Sequence, residues 1–540
     1  MHRLLNLIIC SILALSLYSE EEDIFAEFDR MEIDKEYKDD FIGFDTSKIQ
    51  EQPAPSLVTH PYDAYSERAW MRDERSVGGL FSQETIARVF YMTLFPQVRL
   101  KIGPVKSHLG LPMRFPLYDN IGAGLSGQRR RGFVHIEDFI APRGADFRSF
   151  ADAFKLIRQI EWGSIFDDFY MGLVREQAFS LGQGDLMREL NTDYLYDQDY
   201  LFARAHASFD PVRIDAVVGP IPGINIVGIN TKIQPLKNLE SISLVKNMSF
   251  DLSYVADYRA PGQAHRQEDA YVLEADRRLV KRDKNIIQGA SLGVATLYTP
   301  WQWFSSKPYM SFSNLWFAGL KHKEELLPTY YGFAFNLGHD ASFYLSPHKK
   351  DSVLFLRSEG RIFSENYQPN YFGSNYMLDR VNFQEDFLMS KSQAVAQPED
   401  KKWRLGYMLE LGYAFKNIIN TKLTYESAHA MNNGKLIAPL RKLRFANGLK
   451  IFDWVKIQAS YEANALQDFK DIFNFSKSRA ILALHGQAKI LSYLYFDSWI
   501  KHSFGISNIY EASTNREWLS EQGETRSLNF GLGLELVMAF

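Results

Sequence analysis

The sequence predicts an all-β fold, an antiparallel transmembrane β-barrel of about 16 strands, within a range of about 14–18. Three observations predict it. The stretch Ser527 to Phe540 alternates without a break. Leu528, Phe530, Leu532, Leu534, Leu536, Met538 and Phe540 share one face, and Asn529, Gly531, Gly533, Glu535, Val537 and Ala539 share the other. A strand turns successive side chains to opposite sides, so this is one strand with an unbroken apolar face. It is long enough for the roughly 9–11 residues of a tilted membrane strand. The same alternation recurs through the last third of the chain. Beyond the extreme N-terminus no apolar run is long enough for a membrane helix, as expected where only every second residue faces lipid.

The ending resembles the closing strand of bacterial outer-membrane β-barrel proteins of the porin-like kind. That strand commonly ends in Phe, with large apolar residues at alternate positions before it. Leu534, Leu536, Met538 and Phe540 carry the resemblance. It implies recognition by the barrel-insertion machinery, with outer-membrane lipid around the barrel.

Composition agrees. The chain has 540 residues, 46% hydrophobic and 14% aromatic, which suits aromatic girdles at two membrane interfaces. A net charge of −4 gives no reason to expect nucleic acid as a partner. The single cysteine, Cys10, excludes an intramolecular disulfide.

Residues 1–19 read as a signal peptide. His2 and Arg3 precede an apolar run from Leu4 to Leu17, with small residues at Ala14, Ser16 and Ser19 for cleavage. Residues 20–76 read as an acidic, mostly irregular extension that opens with Glu20, Glu21, Glu22 and Asp23 and is broken by Pro53 and Pro55. It is too short for a folded receptor plug domain. Either a periplasmic tail or a partial plug fits it. The barrel is assigned to 77–540.

Clear alternation starts near Tyr91. Met92, Leu94, Pro96, Val98, Leu100 and Ile102 face one way; Thr93, Phe95, Gln97, Arg99 and Lys101 face the other, into a polar lumen. Pro96 inside the run suggests a bulge or an early strand end. Gly122, Gly124 and Gly127 spell a GxGxxG, but no buried strand precedes it and Arg129, Arg130 and Arg131 follow, so a basic glycine-rich loop describes it better than a nucleotide site. Phe147, Phe150, Phe154 and Ile157 recur at helical spacing after Asp146 and predict one short amphipathic helix. Phe169 to Val174 returns to strand, and the polar run from Arg175 to Gly184 reads as lumen wall. Asp193, Asp197 and Asp199 lack calcium-loop spacing.

Strand signals then continue, from Val212 to Val218 through Ser352 to Phe363, separated by unequal polar connections. The last third is clearest. Trp403, Leu405, Tyr407, Leu409, Leu411, Tyr413 and Phe415 oppose Arg404, Gly406, Met408, Glu410, Gly412 and Ala414. Val455, Ile457, Ala459 and Tyr461 oppose Lys456, Gln458, Ser460 and Glu462, and Leu482, Leu484 and Ala488 oppose His485, Gln487 and Lys489.

No catalytic, cofactor or metal pattern emerges. The GxSxG elbow, HExxH and Walker lysine loop are all missing. His339, Asp340 and Ser342 are close in sequence, but on a strand His339 faces away from the other two. Function is therefore read from architecture, an analogy. The first expectation is a porin-like channel for passive diffusion of small hydrophilic solutes, lined by Arg99, Lys101, Arg213, Arg404, Glu410, Lys456, Glu462 and Lys489. The alternatives are a non-conducting barrel for adhesion, assembly or export, and a barrel-embedded lipid hydrolase. The solute and the oligomeric state stay open, with a homo-oligomer among the arrangements allowed.

Overall fold

The computed structural model describes residues 75–86, 89–119, 132–133, 150–164, 167–175, 179–191, 201–221, 224–238, 243–260, 264–265, 285–322, 325–345, 352–379, 381–384, 387–396, 402–416, 418–432, 435–451, 454–466, 468–473, 480–505, 508–511, 516–519 and 525–539. The signal peptide, nearly all of the acidic extension, the GxGxxG with its arginines, Asp146, Phe147, the Asp193–Asp199 loop and Phe540 lie outside them.

The strands follow one another around a closed wall. The first are β1 (Ser76–Ile86), β2 (Val89–Ile102) and β3, which runs as Val105–Gly110 and Met113–Asp119. Next come β4 (Ile157–Trp162, with Gly132–Phe133 beside the end of β3), β5 (Phe169–Val174), β6 (Leu201–Phe209) and β7 (Val212–Ile221). They are followed by β8 (Ile226–Ile233), β9 (Met248–Ala260), β10 (Asn285–Thr296), β11 (Phe304–Ala318) and β12 (Tyr330–Tyr344). Then come β13 (Ser352–Phe363), β14 (Arg404–Phe415), β15 (Ile419–Asn432) and β16 (Lys435–Ile451). The wall ends with β17 (Val455–Leu466), β18 (Ile481–Leu491), β19 (Leu494–Gly505) and β20 (Thr525–Ala539). Every neighbouring pair is antiparallel, and β1 also pairs with β20, from Ser76 opposite Ala539 to Glu84 opposite Gly531. Among the described residues the barrel thus has 20 strands, which corrects the expected count of about 16. A closed wall leaves no free edge, which a bilayer requires because it offers no water to unpaired backbone groups.

The terminal strand shows which face is which. Met538 is 62% exposed and Glu535 only 4%. Leu528, Leu532, Leu534 and Leu536 are exposed alongside Met538, and on β14 so are Leu405, Tyr407, Leu409 and Leu411. These faces form the lipid-facing belt. Aromatic clusters mark its two borders. Trp301 and Trp303 stack at 5.2 Å beside Phe304 and Phe343 at one, and Tyr425 stacks with Phe469 at 5.9 Å beside Tyr407 at the other. Aromatic side chains favour such interfaces because one end is apolar and the other wet.

The five longest connections, 120–156, 175–200, 261–284, 364–403 and 506–524, all leave the same end of the barrel. The opposite end has tighter turns, such as Gly103 to Pro104 and Ser492 to Tyr493. Short turns mark the periplasmic side of such barrels. Pro96 does not end β2. It lies on the outer face, and its carbonyl accepts from Leu111, where β3 is interrupted. The helix predicted around Phe147 to Ile157 is a 3₁₀ turn at Phe150–Leu156 that passes straight into β4.

Candidate functional site

Two segments from the long-loop end fold into the lumen. The first lies between β5 and β6. Phe179 and Leu190 exchange backbone hydrogen bonds of 3.1 and 2.8 Å, closing a narrow hairpin. Its tip is turned by Gly182 (φ +58°) and Gly184 (φ +87°), where left-handed backbone favours glycine. At Gly182 a Cβ would also stand 2.4 Å from Ser253 Oγ on β9. The second segment follows β13. Asn370 and Phe372 donate backbone hydrogen bonds of 2.9 Å to the carbonyls of Asp185 and Leu186, so the two inserts bind each other.

Their apolar side chains make a core inside the barrel. Phe179, Leu181, Leu186, Met187 and Leu190 pack with Tyr367, Tyr371, Phe372 and Tyr376 of the second insert. The wall meets them with Val217, Ile226, Val255, Ile287, Leu315 and Phe317. Burying such side chains supplies the main force that holds a loop inward.

Polar groups fix the direction. On β9, Asp251 accepts from Gln183 at 2.6 Å and Asp257 from Tyr376 at 2.7 Å. Asp185 is held by Ser291 of β10 (2.7 Å), Ser311 of β11 (2.9 Å) and Asn336 of β12 (2.9 Å). Arg357 of β13 donates to the Gln183 carbonyl. Arg188 pairs with Glu410 of β14 at 2.8 Å, and Glu189 pairs with Lys422 of β15 and Arg444 of β16. Ser374 donates to Glu462 of β17 at 2.6 Å. Nine consecutive strands, β9 to β17, are thus tied to the inserts. Burial, then the nearby Glu359 carboxylate, push the Asp185 pKa upward, against the pull of the Ser291 and Ser311 donors.

The residues expected to line a channel sit as follows. Glu410 and Glu462 meet the inserts. Arg99 pairs with Glu535 at 2.9 Å, and Arg213 with Asp215 on its own strand at 2.9 Å. Arg404 begins β14 at the long-loop end, opposite Ala430. Lys101 stands opposite Lys106, Lys456 opposite Lys450, and Lys489 opposite Tyr495, all near the short-turn end. Leu534, Leu536 and Met538 lie on the lipid face. His339 faces outward and shares a 2.8 Å hydrogen bond with Ser306, while Asp340 and Ser342 are buried on the inner face.

Sequence reading missed Asp185, Arg188, Glu189 and Ser374. Phe179 to Gly184 belong to an insert rather than to the wall. A signal was present: Leu181, Leu186, Met187 and Leu190 are apolar at spacings that fit no strand, around two glycines. The porin-like reading is corrected by this geometry, since an open passive pore needs a clear lumen, and here two segments are packed and hydrogen-bonded across it.

No family model and no curated protein matches the sequence. Solved structures do. The FrpB iron transporter from Neisseria meningitidis matches with TM-score 0.36 and 7% identity, covering 86% of this chain and 83% of that one. The ferric yersiniabactin uptake receptor FyuA from Yersinia pestis matches with TM-score 0.33 and 7% identity, over 87% and 81%. CdiB from Acinetobacter baumannii matches with TM-score 0.27 and 6% identity over 86% of this chain, which spans 60% of CdiB. These are likenesses of fold alone. The closed antiparallel wall and its lipid-facing belt make the chain an outer-membrane β-barrel.

Proposed function

We propose that this outer-membrane barrel is a gated uptake protein for a small solute, closed at rest by its own inserts. The observation that carries the reading is the hairpin Phe179 to Leu190, which sits in the lumen and makes charge-assisted contacts with the wall at Glu410, Lys422 and Arg444. A segment meant only to fill space needs an apolar surface. This one also presents ionic groups, each matched on the wall, and such contacts are lost together when the hairpin moves. Solute binding at the long-loop end would compete with them and shift the hairpin toward an open arrangement, by as much as the solute's preference for that arrangement. In this reading residues 1–19 direct export, residues 20–75 form a periplasmic extension, and the ending at Leu534, Leu536, Met538 and Phe540 is read during insertion.

The test is single-channel recording of the folded, full-length protein in planar bilayers. The wild type is expected to stay silent or open rarely, and a protein with the hairpin unseated to conduct. Steady open steps from the wild type would refute a resting closed state.

A further inference from the structure

A lysine ammonium is buried against the second insert. Beyond Tyr376 the chain forms a small hairpin, Val381–Gln384 with Phe387–Ser390, and then the short helix Lys391–Ala396. That helix returns onto the insert. Asn366 Nδ2 donates to the Ala396 carbonyl at 2.6 Å, and Val395 and Ala396 join the apolar core. Lys391 opens the helix and points into the insert. Its Nζ donates to the Tyr371 carbonyl at 3.0 Å, and stands 5.0 Å from the centre of the Tyr371 ring and 5.4 Å from that of Tyr376. Only 6% of Lys391 is exposed.

Lysine is seldom found inside, since burial takes water from the ammonium and freedom from its long stem. Fastening a helix needs only an apolar residue at such a place. Two aromatic faces and a carbonyl are instead the groups that recognise an ammonium, and the attraction grows when the rings are dry. The walls of this seat are held without Lys391. Tyr371 meets Phe317 of β11 edge-on at 5.7 Å. Tyr376 donates to Asp257 of β9 at 2.7 Å and packs on Phe372 at 4.9 Å. The carboxylate behind the Tyr376 hydroxyl makes that ring richer in electrons. A seat anchored to the barrel wall stays formed when its occupant leaves, and such preorganisation favours binding.

The seat is also joined to the lumen hairpin. Tyr371 lies between Asn370 and Phe372, whose N–H groups bond the carbonyls of Asp185 and Leu186. Whatever fills the seat bears on the peptide units that keep the hairpin in place.

We propose that Tyr371 and Tyr376 form a binding site for a small organic ammonium ion, that Lys391 fills it at rest as a tethered stand-in, and that the solute is such a cation. The solute assignment rests on the gated-uptake reading; the binding site does not. An arriving ammonium displaces Lys391 and frees the helix from the insert. A tethered occupant competes at the effective concentration that its short link sets, so the resting protein binds a free cation more weakly than one lacking the lysine side chain.

The test uses n-propylammonium as probe, since it reproduces the side-chain atoms lost in Lys391→Ala. It is titrated calorimetrically into the folded full-length protein. Saturable binding to Lys391→Ala is expected, about tenfold weaker in wild type and lost in Lys391→Ala/Tyr371→Leu. Heat-modifiable gel mobility checks the barrel, and slow hydrogen exchange at Asn370 and Phe372 checks that the insert is seated; Lys391→Ala/Tyr376→Leu serves if Tyr371→Leu unseats it. No saturable binding by folded Lys391→Ala, equal affinity in wild type, or unchanged affinity after loss of a seat ring would each overturn the site. Equal binding of n-propanol would overturn the ammonium assignment. The second arm records wild-type channels in planar bilayers with n-propylammonium in the bath. A rise in open probability that n-propanol does not produce supports the solute class, and indifference overturns it while the calorimetry upholds the site. If Arg188→Met also never conducts, the gated-uptake reading falls and the solute class with it, and the site again stands on its own binding data.

Discussion

Arg188→Met tests the gate most directly. Arg188 Nη2 and Glu410 Oε2 are 2.8 Å apart, and both side chains are under a tenth exposed. Glu410 keeps a hydrogen bond from Thr424 Oγ1 at 2.9 Å, but that hydroxyl cannot replace the guanidinium charge. Removing one partner of a buried pair typically costs about 3–5 kcal/mol, because the other charge stays buried without compensation. When the hairpin leaves, the lumen hydrates and Glu410 is solvated, so this cost falls on the seated state. At about 1.4 kcal/mol per factor of ten, the open-to-closed ratio should rise by roughly two to three and a half powers of ten. Adding Glu410→Met removes the stranded charge and should return most of the closure, since replacing a whole buried pair with apolar groups is often near neutral. Open probability in planar bilayers is the readout, with gel mobility to verify the barrel. An Arg188→Met protein as silent as wild type would refute the assigned role of the ion pair. So would a double variant as open as the single one.

Other outcomes follow from the same contacts. Asp185 has its pKa raised from the ordinary 3.8 in the seated hairpin, so the seated state binds the proton more tightly. Seating should therefore be firmest below that value and weaken as pH rises through the raised one; open probability against pH should show this slope in wild type and lose it in Asp185→Asn. Gly182→Ala forces left-handed backbone on a residue with a side chain and crowds Ser253, at about 1–3 kcal/mol; hydrogen exchange should speed up in the hairpin while the β14–β17 wall stays protected. On the lipid face, Leu409→Arg near the middle of β14 should destabilise the barrel by about 2–4 kcal/mol in denaturant titrations in vesicles, and Leu405→Arg near its rim by about 0–1 kcal/mol. Equal losses at both positions would contradict the assigned belt.

The barrel was legible in the sequence where one face meets lipid and the other meets polar groups, as on β14, β17 and β20. It was less legible where the inserts press on the wall. Val255, Ile287, Leu315, Phe317 and Phe363 point into the lumen yet are apolar, because the inserts offer them an apolar surface. A strand with apolar residues on both faces loses its period-two signature, which blurs the strand limits in this sector; the expected count of about 16 was a division of the chain length, not a count of signatures. β1 was overlooked for another reason: Gly79 and Gln83 leave only Val77 and Phe81 to mark its outer face. The hairpin escaped because its polar partners come from eight strands, β9 to β16, spread over nearly two hundred residues, and no local pattern announces contacts of that range.

The pairing of Ser76 with Ala539 also constrains how the molecule forms. β1 emerges first and carries an open backbone edge until β20 arrives to cover it. Nearly every described residue must cross into the periplasm before that last ladder can zip, so the contact that completes the wall is also the one of greatest sequence separation. Such closure is slow, and an unpaired edge invites association with other chains meanwhile. The newborn chain therefore depends on whatever holds it apart from its neighbours between export and closure.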